Sequence, residues 1–307
     1  MITVVAGGVG AARLLEGLVQ VHPPAGITVV ANVGDDTELH GLHISPDLDT
    51  ITYTLAGEIN VETGWGLAGE SWQAMDTLRR YGGLTWFNLG DRDLGTHLYR
   101  TSRLGQGASL SQVTAEIAAA WGLELTLLPV TDDRLRTMVT VEDGEIDFQE
   151  YFVRRQHAVA VSAVRFDGAA TCRPAPGVLE ALGDADAIVI APSNPIVSID
   201  PVLAVPNVRP ALVAARSRTV AVSPIVAGAA LKGPADRLLR ELGHAATVVG
   251  VAELYAPIAS VLVIDEADAA LAASVEAVGL RCVVAPTVMS SPEAARALWQ
   301  RVLESIG

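Results

Sequence analysis

The chain has 307 residues, of which 50% are apolar and 18% charged, so it can bury the core of one large α/β domain or two modest ones. Its net charge of −14 argues against a nucleic-acid partner but not against a small phosphorylated ligand. The apolar runs are far shorter than the roughly 18 residues that span a bilayer, and no basic leader precedes the first strand-like run. We therefore expect a cytoplasmic protein with no membrane partner.

The basic residues are almost all arginine. Lys232 is the one lysine of the chain, and the other twenty basic residues are arginines. Arginine can hold phosphate or carboxylate through two parallel hydrogen bonds, although a biased genome composition is the simpler explanation. Cys172 and Cys282 are far apart and fall in no metal-ligand spacing, so we expect structural thiols.

Strand-like runs alternate with helix-like segments along most of the chain. The predicted strands are 3–6, 28–32, 85–88, 124–128, 187–191, 219–223, 247–250, 261–265 and 281–285. The predicted helices are 11–21, 70–81, 109–121, 233–242 and 292–305. Most strands are continuous Val, Ile, Ala and Leu runs, which is typical of parallel strands covered by helices on both faces. We therefore predict an α/β fold with a doubly wound, mostly parallel, Rossmann-like sheet.

The middle of the chain departs from this alternation. Residues 137–153 read as an antiparallel hairpin with its turn at Asp143-Gly144, and 159–166 is a further, roughly alternating strand. We predict that residues 137–185 form an inserted hairpin that serves as a small subdomain or lid. Residues 1–136 and 186–307 would together form the Rossmann-like core.

A glycine-rich loop, Gly7-Gly8-Val9-Gly10, joins the first predicted strand to the first helix. Glycines let the backbone approach a phosphate closely, and a helix N-terminus supplies free N–H groups and a favourable dipole. The loop differs from the standard dinucleotide fingerprint, because Arg13 stands where the third glycine would be. It favours phosphate or nucleotide binding over a simple tight turn.

Four aspartates lie close in sequence after the second predicted strand. Asp35 and Asp36 end the motif that starts at Asn32, where doubly wound sheets bind ligands, and Asp47 and Asp49 follow shortly afterwards. Carboxylate oxygens are the ligands that Mg²⁺ prefers. The group therefore predicts a magnesium site, with helix capping by Asp35 and Asp47 as the alternative.

Polar loops follow three further predicted strands. Leu89-Gly90-Asp91-Arg92-Asp93, with His97 just beyond, follows strand 85–88 and suggests that a polar substrate is placed there, with structural ion pairing as the alternative. We interpret His97 as a core or capping residue. Pro192-Ser193-Asn194-Pro195 and Ser223-Pro224-Ile225 place small hydrogen-bonding residues where they can bind ribose, phosphate or base. Ordinary turn chemistry explains those two loops equally well.

Taken in order, these motifs resemble those of the 2-phospho-L-lactate transferase family, including its phosphoenolpyruvate transferase variant. The resemblance covers essentially the whole chain and is most specific in PDLDT (46–50), LGDRDxxTH (89–97) and APSNP (191–195). It implies an enzyme of coenzyme F-420 biosynthesis that depends on Mg²⁺ and forms a homodimer. The enzyme would move a phospholactyl, phosphoenolpyruvyl or phosphoglyceryl group from a guanosine diphosphate-linked donor to the ribityl hydroxyl of 7,8-didemethyl-8-hydroxy-5-deazariboflavin, releasing GMP.

The resemblance also implies roles for individual residues. Asp49 and Arg92, both in predicted loops, match positions that contact the deazaflavin, and we expect both to act in catalysis. Asp49 could orient the attacking hydroxyl or take its proton, and Arg92 could steady a phosphoryl oxygen or the polar edge of the flavin. The expected nucleotide-binding residues are Gly7, Gly8, Val9, Gly10, Ser193, Asn194 and Ser223. The expected magnesium ligands are drawn from Asp35, Asp36, Asp47 and Asp49.

Two other classes of protein share parts of this pattern. Non-enzymatic, nucleotide-sugar-binding regulators of the gluconeogenesis-factor type have a similar opening, but a glycine- and serine-rich stretch tends to follow their aspartates, where this chain has Thr37-Glu38-Leu39-His40. A nicotinamide-dependent oxidoreductase would need a third glycine after Gly10 and an acidic residue earlier than Asp35. Tight binding of the deazaflavin would separate the transferase from both. No residue distinguishes lactate, enolpyruvate and glycerate donors.

Overall fold

The computed structural model describes residues 1–306. The strands are β1 (Ile2–Ala6), β2 (Ile27–Ala31), β3 (Thr37–Leu39), β4 (Leu42–Ile44), β5 (Thr126–Pro129), β6 (Arg136–Val141), β7 (Gly144–Asp147), β8 (Ala163–Asp167), β9 (Ala187–Ile190), β10 (Thr219–Val222), β11 (Ile225–Val226), β12 (Ala229–Ala230), β13 (Val261–Ile264) and β14 (Arg281–Val284). The α-helices are α1 (Val9–Leu18), α2 (Pro46–Leu55), α3 (Gln73–Arg80), α4 (Asp91–Gly105), α5 (Leu110–Ala120), α6 (Val178–Asp184), α7 (Asp200–Ala204), α8 (Val208–Ala214), α9 (Ala235–Glu241), α10 (Val248–Tyr255), α11 (Ala272–Ala277) and α12 (Pro292–Glu304). Short 3-10 or π-helical turns lie at Pro24–Gly26, Glu150–Arg154, Pro195–Ile199, Arg216–Arg218 and Glu266–Leu271.

The main sheet has seven strands in the order β14-β13-β10-β9-β1-β2-β5, and every pairing is parallel. The chain runs outward from β1 through β2 to β5, returns to β9 on the other side of β1, and continues outward to β14. This reversal between β1 and β9 is the topological switch point of a doubly wound sheet, where such folds bind ligands. The predicted fold class is confirmed.

Two of the predicted strands are wrong. Residues 85–88 form no strand, and Trp86 and Phe87 pack instead against a small second core that contains Met75 and Leu89. Residues 247–250 begin helix α10, because the Thr247 hydroxyl accepts a hydrogen bond of 3.3 Å from the Gly250 N–H and caps the helix. At both places the apolar side chains are explained by burial in the core rather than by a strand.

The inserted antiparallel hairpin is confirmed. Strands β7, β6 and β8 form a separate three-stranded antiparallel sheet, with Val141 paired to Gly144 at the hairpin turn. Strand β7 is shorter than expected because a π-helical turn occupies Glu150–Arg154. Val139 and Tyr151 are buried in the same hydrophobic core as the main sheet, so the insertion packs against the main core. The bounds 137–185 stay a prediction.

The first and last helices pack closely against each other. At Gly17 of α1, an added Cβ would lie 2.4 Å from the backbone of Ala295 in α12. The buried Trp299 of α12 donates its indole N–H to the carbonyl oxygen of Leu14. The C-terminal helix therefore holds α1, which carries the glycine-rich loop at its start.

No single helix among residues 1–306 is long and apolar enough to cross a membrane. The bent pair Pro195–Ala204 and Val208–Ala214, at 95°, meets the length and composition criteria only when the two helices are taken together. Val202, Leu203 and Val208 of this pair are buried in the core.

Candidate active site

The glycine-rich loop lies at the switch point of the sheet, beside the loop that follows β9. The Gly7 N–H donates a hydrogen bond of 3.1 Å to the Ser193 hydroxyl. A Cβ added at Gly10 would lie 2.3 Å from the carbonyl oxygen of Pro192. Helix α1 starts at Val9 without a side-chain cap, so N–H groups of its first turn are available to an anionic ligand.

Asp35 and Asp47 are brought together beside this loop. The Asn32 side-chain amide donates hydrogen bonds of 2.9 Å to Asp35 Oδ1 and of 2.9 Å to Asp47 Oδ2. Asp47 also faces the loop, since a Cβ added at Gly8 would lie 2.6 Å from Asp47 Oδ1. Burial raises the pKa of Asp47 to about 7, and burial together with the charge of Asp47 raises the pKa of Asp35. Two buried carboxylates without a cationic side chain between them are suited to a divalent cation.

Asp36 points into a neighbouring polar cluster. Its Oδ2 accepts a hydrogen bond of 2.7 Å from the Ser45 hydroxyl and lies 3.0 Å from Nε2 of His43. Burial raises the pKa of Asp36, although the hydrogen bond from His43 opposes the shift. Its other oxygen, Oδ1, is buried and has no hydrogen-bond partner among residues 1–306. This free oxygen is compatible with a role as a metal ligand.

Asp49 lies in helix α2 and not in the predicted loop. Its two carboxylate oxygens accept two hydrogen bonds from Arg100 of α4, one of them 3.1 Å long. Asp49 is 5% exposed and Arg100 is 1% exposed, so the pair is a buried ion pair. Of the four predicted magnesium ligands, Asp49 is therefore the one whose charge is already matched by a cationic side chain.

A network of polar side chains extends from Asp49 along helix α4. His97 Nδ1 lies 3.8 Å from Asp49 Oδ2, and His97 Nε2 lies 3.3 Å from Asp93 Oδ2. The Tyr53 hydroxyl donates a hydrogen bond of 2.6 Å to Asp93 Oδ1. Burial raises the pKa of Asp93, but the hydrogen bond and charge of His97, the hydrogen bond from Tyr53 and the charge of Arg100 together bring it below its ordinary value. Asp49, Asp93 and His97 also place one possible metal-ligand atom each within 4.8 Å of one another.

Arg92 lies in the first turn of α4, again in a helix rather than the predicted loop, and its side chain points elsewhere. Its guanidinium donates a hydrogen bond of 2.9 Å to Glu58 and another to the carbonyl oxygen of Ala68. Its backbone N–H donates a hydrogen bond of 2.7 Å to Glu70. No hydrogen bond or ion pair joins Arg92 to Asp49 within the described residues.

A cavity of about 170 Å³ opens beside these residues. Trp65 and Trp72 line its walls and are partly exposed, and Asp93 lies at its polar side. Indole rings beside a carboxylate suit a flat aromatic ligand that carries hydrogen-bonding groups. Glu70 and Gly90 also line this cavity. Arg92 is close to both, because its backbone N–H donates to Glu70 and Gly90 precedes it by two residues.

Asn194 and Ser223 use their side chains within their own turns. Asn194 Oδ1 accepts a hydrogen bond of 3.0 Å from the Ile196 N–H, which caps the following π-helical turn. The Ser223 hydroxyl accepts a hydrogen bond of 3.1 Å from the Ile225 N–H. Both residues lie at the carboxyl edge of the sheet, yet turn chemistry accounts for these side-chain contacts.

Arg100 and Tyr53 are site residues that the sequence analysis missed. His97 follows Asp93 by four residues and Arg100 follows His97 by three, which places all three on one face of α4. Tyr53 follows Asp49 by one turn on α2 in the same way. These spacings were the available signal, but they become visible only when both motifs are read as helices.

Comparison with known proteins decides the family. The model of the family described as 2-phospho-L-lactate transferase CofD matches residues 2–288. This chain belongs to that family. Family membership makes it a transferase enzyme, which favours the transferase over the regulator and oxidoreductase alternatives, and places it in coenzyme F-420 biosynthesis.

The curated relatives of this CofD-family chain are similar over almost their whole length. The phosphoenolpyruvate transferase of Streptomyces griseus subsp. griseus is 47% identical over 99% of this chain and 97% of its own. Those of Kitasatospora aureofaciens and Streptomyces coelicolor are each 46% identical over 95% of this chain and 94% of theirs. Among solved structures, a UPF0052 family protein from Bacillus halodurans matches with a TM-score of 0.62 and 17% identity, covering 99% of this chain and 98% of its own. That likeness shows the fold alone.

Proposed function

We propose that this enzyme transfers a phosphoenolpyruvyl group from a guanosine diphosphate-linked donor to the ribityl hydroxyl of 7,8-didemethyl-8-hydroxy-5-deazariboflavin. The choice of enolpyruvate rests on the names of the relatives, and the choice of guanine rests on the family resemblance. We further propose a homodimer on the same resemblance, and a cytoplasmic location on the short apolar runs of the sequence.

The observation that carries the proposal is the meeting of two kinds of site at one edge of the sheet. The glycine-rich loop leads into helix α1, which has no side-chain cap, and Ser193 lies against the loop. This arrangement suits the phosphates of a nucleotide donor. The cavity lined by Trp65 and Trp72 suits a flat acceptor ring. Thr63 lines this cavity, and the adjacent Gly64 lies beside Val9, since a Cβ added there would be 3.5 Å from Val9 Cγ1. The two binding regions are therefore neighbours.

The proposed reaction is a displacement at phosphorus. The acceptor hydroxyl oxygen forms a new bond to the β-phosphorus, the bond from that phosphorus to the oxygen of the α-phosphate breaks, and GMP leaves with that oxygen. The hydroxyl proton passes to a base, for which Asp49 remains our candidate. Arg100 donates a hydrogen bond to each oxygen of Asp49 and so fixes their direction, and we expect Asp49 to orient the hydroxyl as well as to take its proton through a free lone pair.

Asp35, Asp47 and Asp36 fit a magnesium ion. Asp35 and Asp47 share one hydrogen-bond donor, the side-chain amide of Asn32. Asp36 has a buried oxygen without a hydrogen-bond partner among residues 1–306. Hard oxygen donors of this kind suit Mg²⁺, which would neutralise charge on the diphosphate when bound. Asp49 fits less well, because Arg100 already neutralises it.

This assignment predicts a pH-dependent stability of the metal-free protein. The pKa of Asp47 rises from its ordinary value of 3.8 to about 7 on folding, so the folded state binds the extra proton in this window. The stability contributed by that proton is complete below about pH 4 and is lost as the pH rises through about 7. Melting in excess chelator should therefore show a fall in stability over this range that is smaller in Asp47→Asn.

The same experiment tests the metal. Mg²⁺ binds the deprotonated carboxylates, so added Mg²⁺ should raise the melting temperature more at pH 8 than at pH 5. Turnover should vanish in excess chelator and return with Mg²⁺ or Mn²⁺. Full turnover in chelator, or equal Mg²⁺ stabilisation of wild type and Asp47→Asn, would show that this carboxylate pair holds no metal.

Product analysis by mass spectrometry tests the proposed function. The enzyme is incubated with the deazaflavin and with synthetic enolpyruvyl, lactyl and glyceryl donors built on guanosine, adenosine or uridine diphosphate. We expect the phosphoenolpyruvyl product and GMP to form fastest, with the guanosine donors preferred. Equal rates for the three bases would refute the guanine preference, and no product from any donor would refute the reaction.

A further inference from the structure

Two basic side chains at the glycine-rich loop lack carboxylate partners. Arg13 contacts only the carbonyl oxygen of Met289, at 3.4 Å, and Lys232 contacts only the carbonyl oxygen of Thr63, at 2.6 Å. Neither forms an ion pair within residues 1–306, whereas most arginines of the chain do. The charge of Arg13 acts on its helix neighbour Glu16, but no carboxylate among residues 1–306 lies within ion-pair distance of either cation.

Lys232 lies where the two binding regions meet. A Cβ added at Gly64 would be 2.3 Å from Lys232 Nζ and 3.5 Å from Val9 Cγ1, so the ammonium group is close to the start of α1. Its hydrogen-bond acceptor, Thr63, lines the cavity with the two tryptophans. Lys232 therefore stands between the nucleotide loop and the acceptor cavity.

Arg13 lies close to the same position. Val9 and Arg13 are four residues apart in α1, so their side chains lie on one face of the helix. Partial burial, and then the charge of Arg13, lower the pKa of Lys232, which is the effect of two cations close together. The two like charges therefore repel, and the arrangement is stabilised when an anion lies between them.

We infer that Lys232 and Arg13 form a subsite for the anionic, transferred end of the donor. The inference rests on the proposed function, since the reacting phosphorus must lie between the nucleotide loop and the acceptor hydroxyl. The donor carries two anionic groups at that end, the β-phosphate and the carboxylate of the three-carbon acid. Lysine and arginine bind either through charge-assisted hydrogen bonds.

Calorimetric binding without acceptor tests this subsite. The probes are GDP, the β-lactyl ester of GDP, and the β-ethyl ester of GDP, which lacks the carboxylate. The variants are Lys232→Gln, Lys232→Arg and Arg13→Gln, with Arg301→Gln as the control because Arg301 forms an exposed ion pair with Glu304 in the last turn of α12. Melting temperatures show whether each variant is folded.

We expect Lys232→Gln and Arg13→Gln each to weaken the lactyl ester about ten- to hundredfold, the usual effect of losing a hydrogen bond to a charged group. Lys232→Arg should recover most of the affinity. A loss confined to the lactyl ester identifies the carboxylate as the group bound, and an equal loss with both esters identifies the phosphate.

The opposite results overturn the inference. If folded Lys232→Gln and Arg13→Gln bind the lactyl ester as tightly as wild type, neither cation binds the donor. If Arg301→Gln loses as much affinity as they do, the loss comes from the change in net charge and not from a subsite. If wild type binds none of the three guanosine probes, the proposal of a guanosine diphosphate-linked donor is wrong and the subsite fails with it. If wild type binds and turns over the donor while the variants match it, only the subsite fails.

Discussion

Replacing Asp49 with asparagine should lower turnover about a hundredfold or more, the scale on which general-base catalysis operates. The side chain keeps its size but loses its charge and its more basic lone pairs. We expect the loss in kcat per folded molecule, measured with saturating donor and acceptor, while donor affinity changes little.

The same substitution should also destabilise the fold, whereas the sequence alone leads us to expect little change in melting. Asp49 is the partner of the buried Arg100, and removing one member of a buried ion pair leaves the other charge unmatched. Such a loss costs about 3–5 kcal/mol. Chemical denaturation measures it, and it separates the catalytic effect from a smaller folded fraction.

A double variant separates the two roles of Asp49. Asp49→Asn with Arg100→Met removes both charges, so it should be more stable than Asp49→Asn alone and yet remain inactive. Recovery of turnover together with stability would show that Asp49 serves only to hold Arg100. Arg92→Lys is a useful companion, because it keeps the charge but loses the planar fork and should mainly raise the KM for the deazaflavin.

Replacing Gly10 with alanine should abolish measurable donor binding and destabilise the protein by about 1–3 kcal/mol. The new Cβ would lie 2.3 Å from the carbonyl oxygen of Pro192, which is backbone and cannot rotate away. Helix α1 would have to move from the loop after β9, and the N–H groups of its first turn would lose their alignment with the ligand. Calorimetry with GDP and denaturant unfolding measure both effects.

Gly95→Ala is the matched control for this substitution. Gly95 lies inside helix α4, and a Cβ added there meets nothing within 4 Å. Alanine favours the helix by roughly 0.8–1.0 kcal/mol over glycine, so this variant should be slightly stabilised and bind GDP normally. If Gly10→Ala behaves like Gly95→Ala, the close approach of α1 to the β9 loop is not needed for binding.

The fold could be predicted from the sequence because its signal is local. Buried parallel strands such as β1, β9 and β13 are short, continuous apolar runs, and such runs survive in the sequence without any knowledge of their neighbours. The glycine-rich loop can be predicted for the same reason, because glycine itself indicates that another group lies close to the backbone. The prediction is wrong at residues 85–88 because aromatic and β-branched residues are partly buried there without a strand.

The interior of the site could not be predicted because it depends on two helices that face each other. Helix α4 begins Asp-Arg-Asp-Leu-Gly-Thr-His, in which charged residues and glycine hide the helical period. The partner of Asp49 lies 51 residues away, so only the packing of α2 against α4 reveals Arg100. From the sequence we expect Arg92 and Asp49 to contact the same ligand. In the structure their side chains belong to separate hydrogen-bond networks.

The position of β1 in the sheet affects how the chain folds while it is being synthesised. Among the strands of the main sheet β1 is synthesised first, but its partner β9 follows only after about 185 residues. At roughly 5–20 residues per second, the strand that carries the nucleotide loop waits some 10–40 s for its neighbour. During that interval one edge of this mostly apolar strand is unpaired and can join another chain, so incomplete chains should be those most in need of a chaperone.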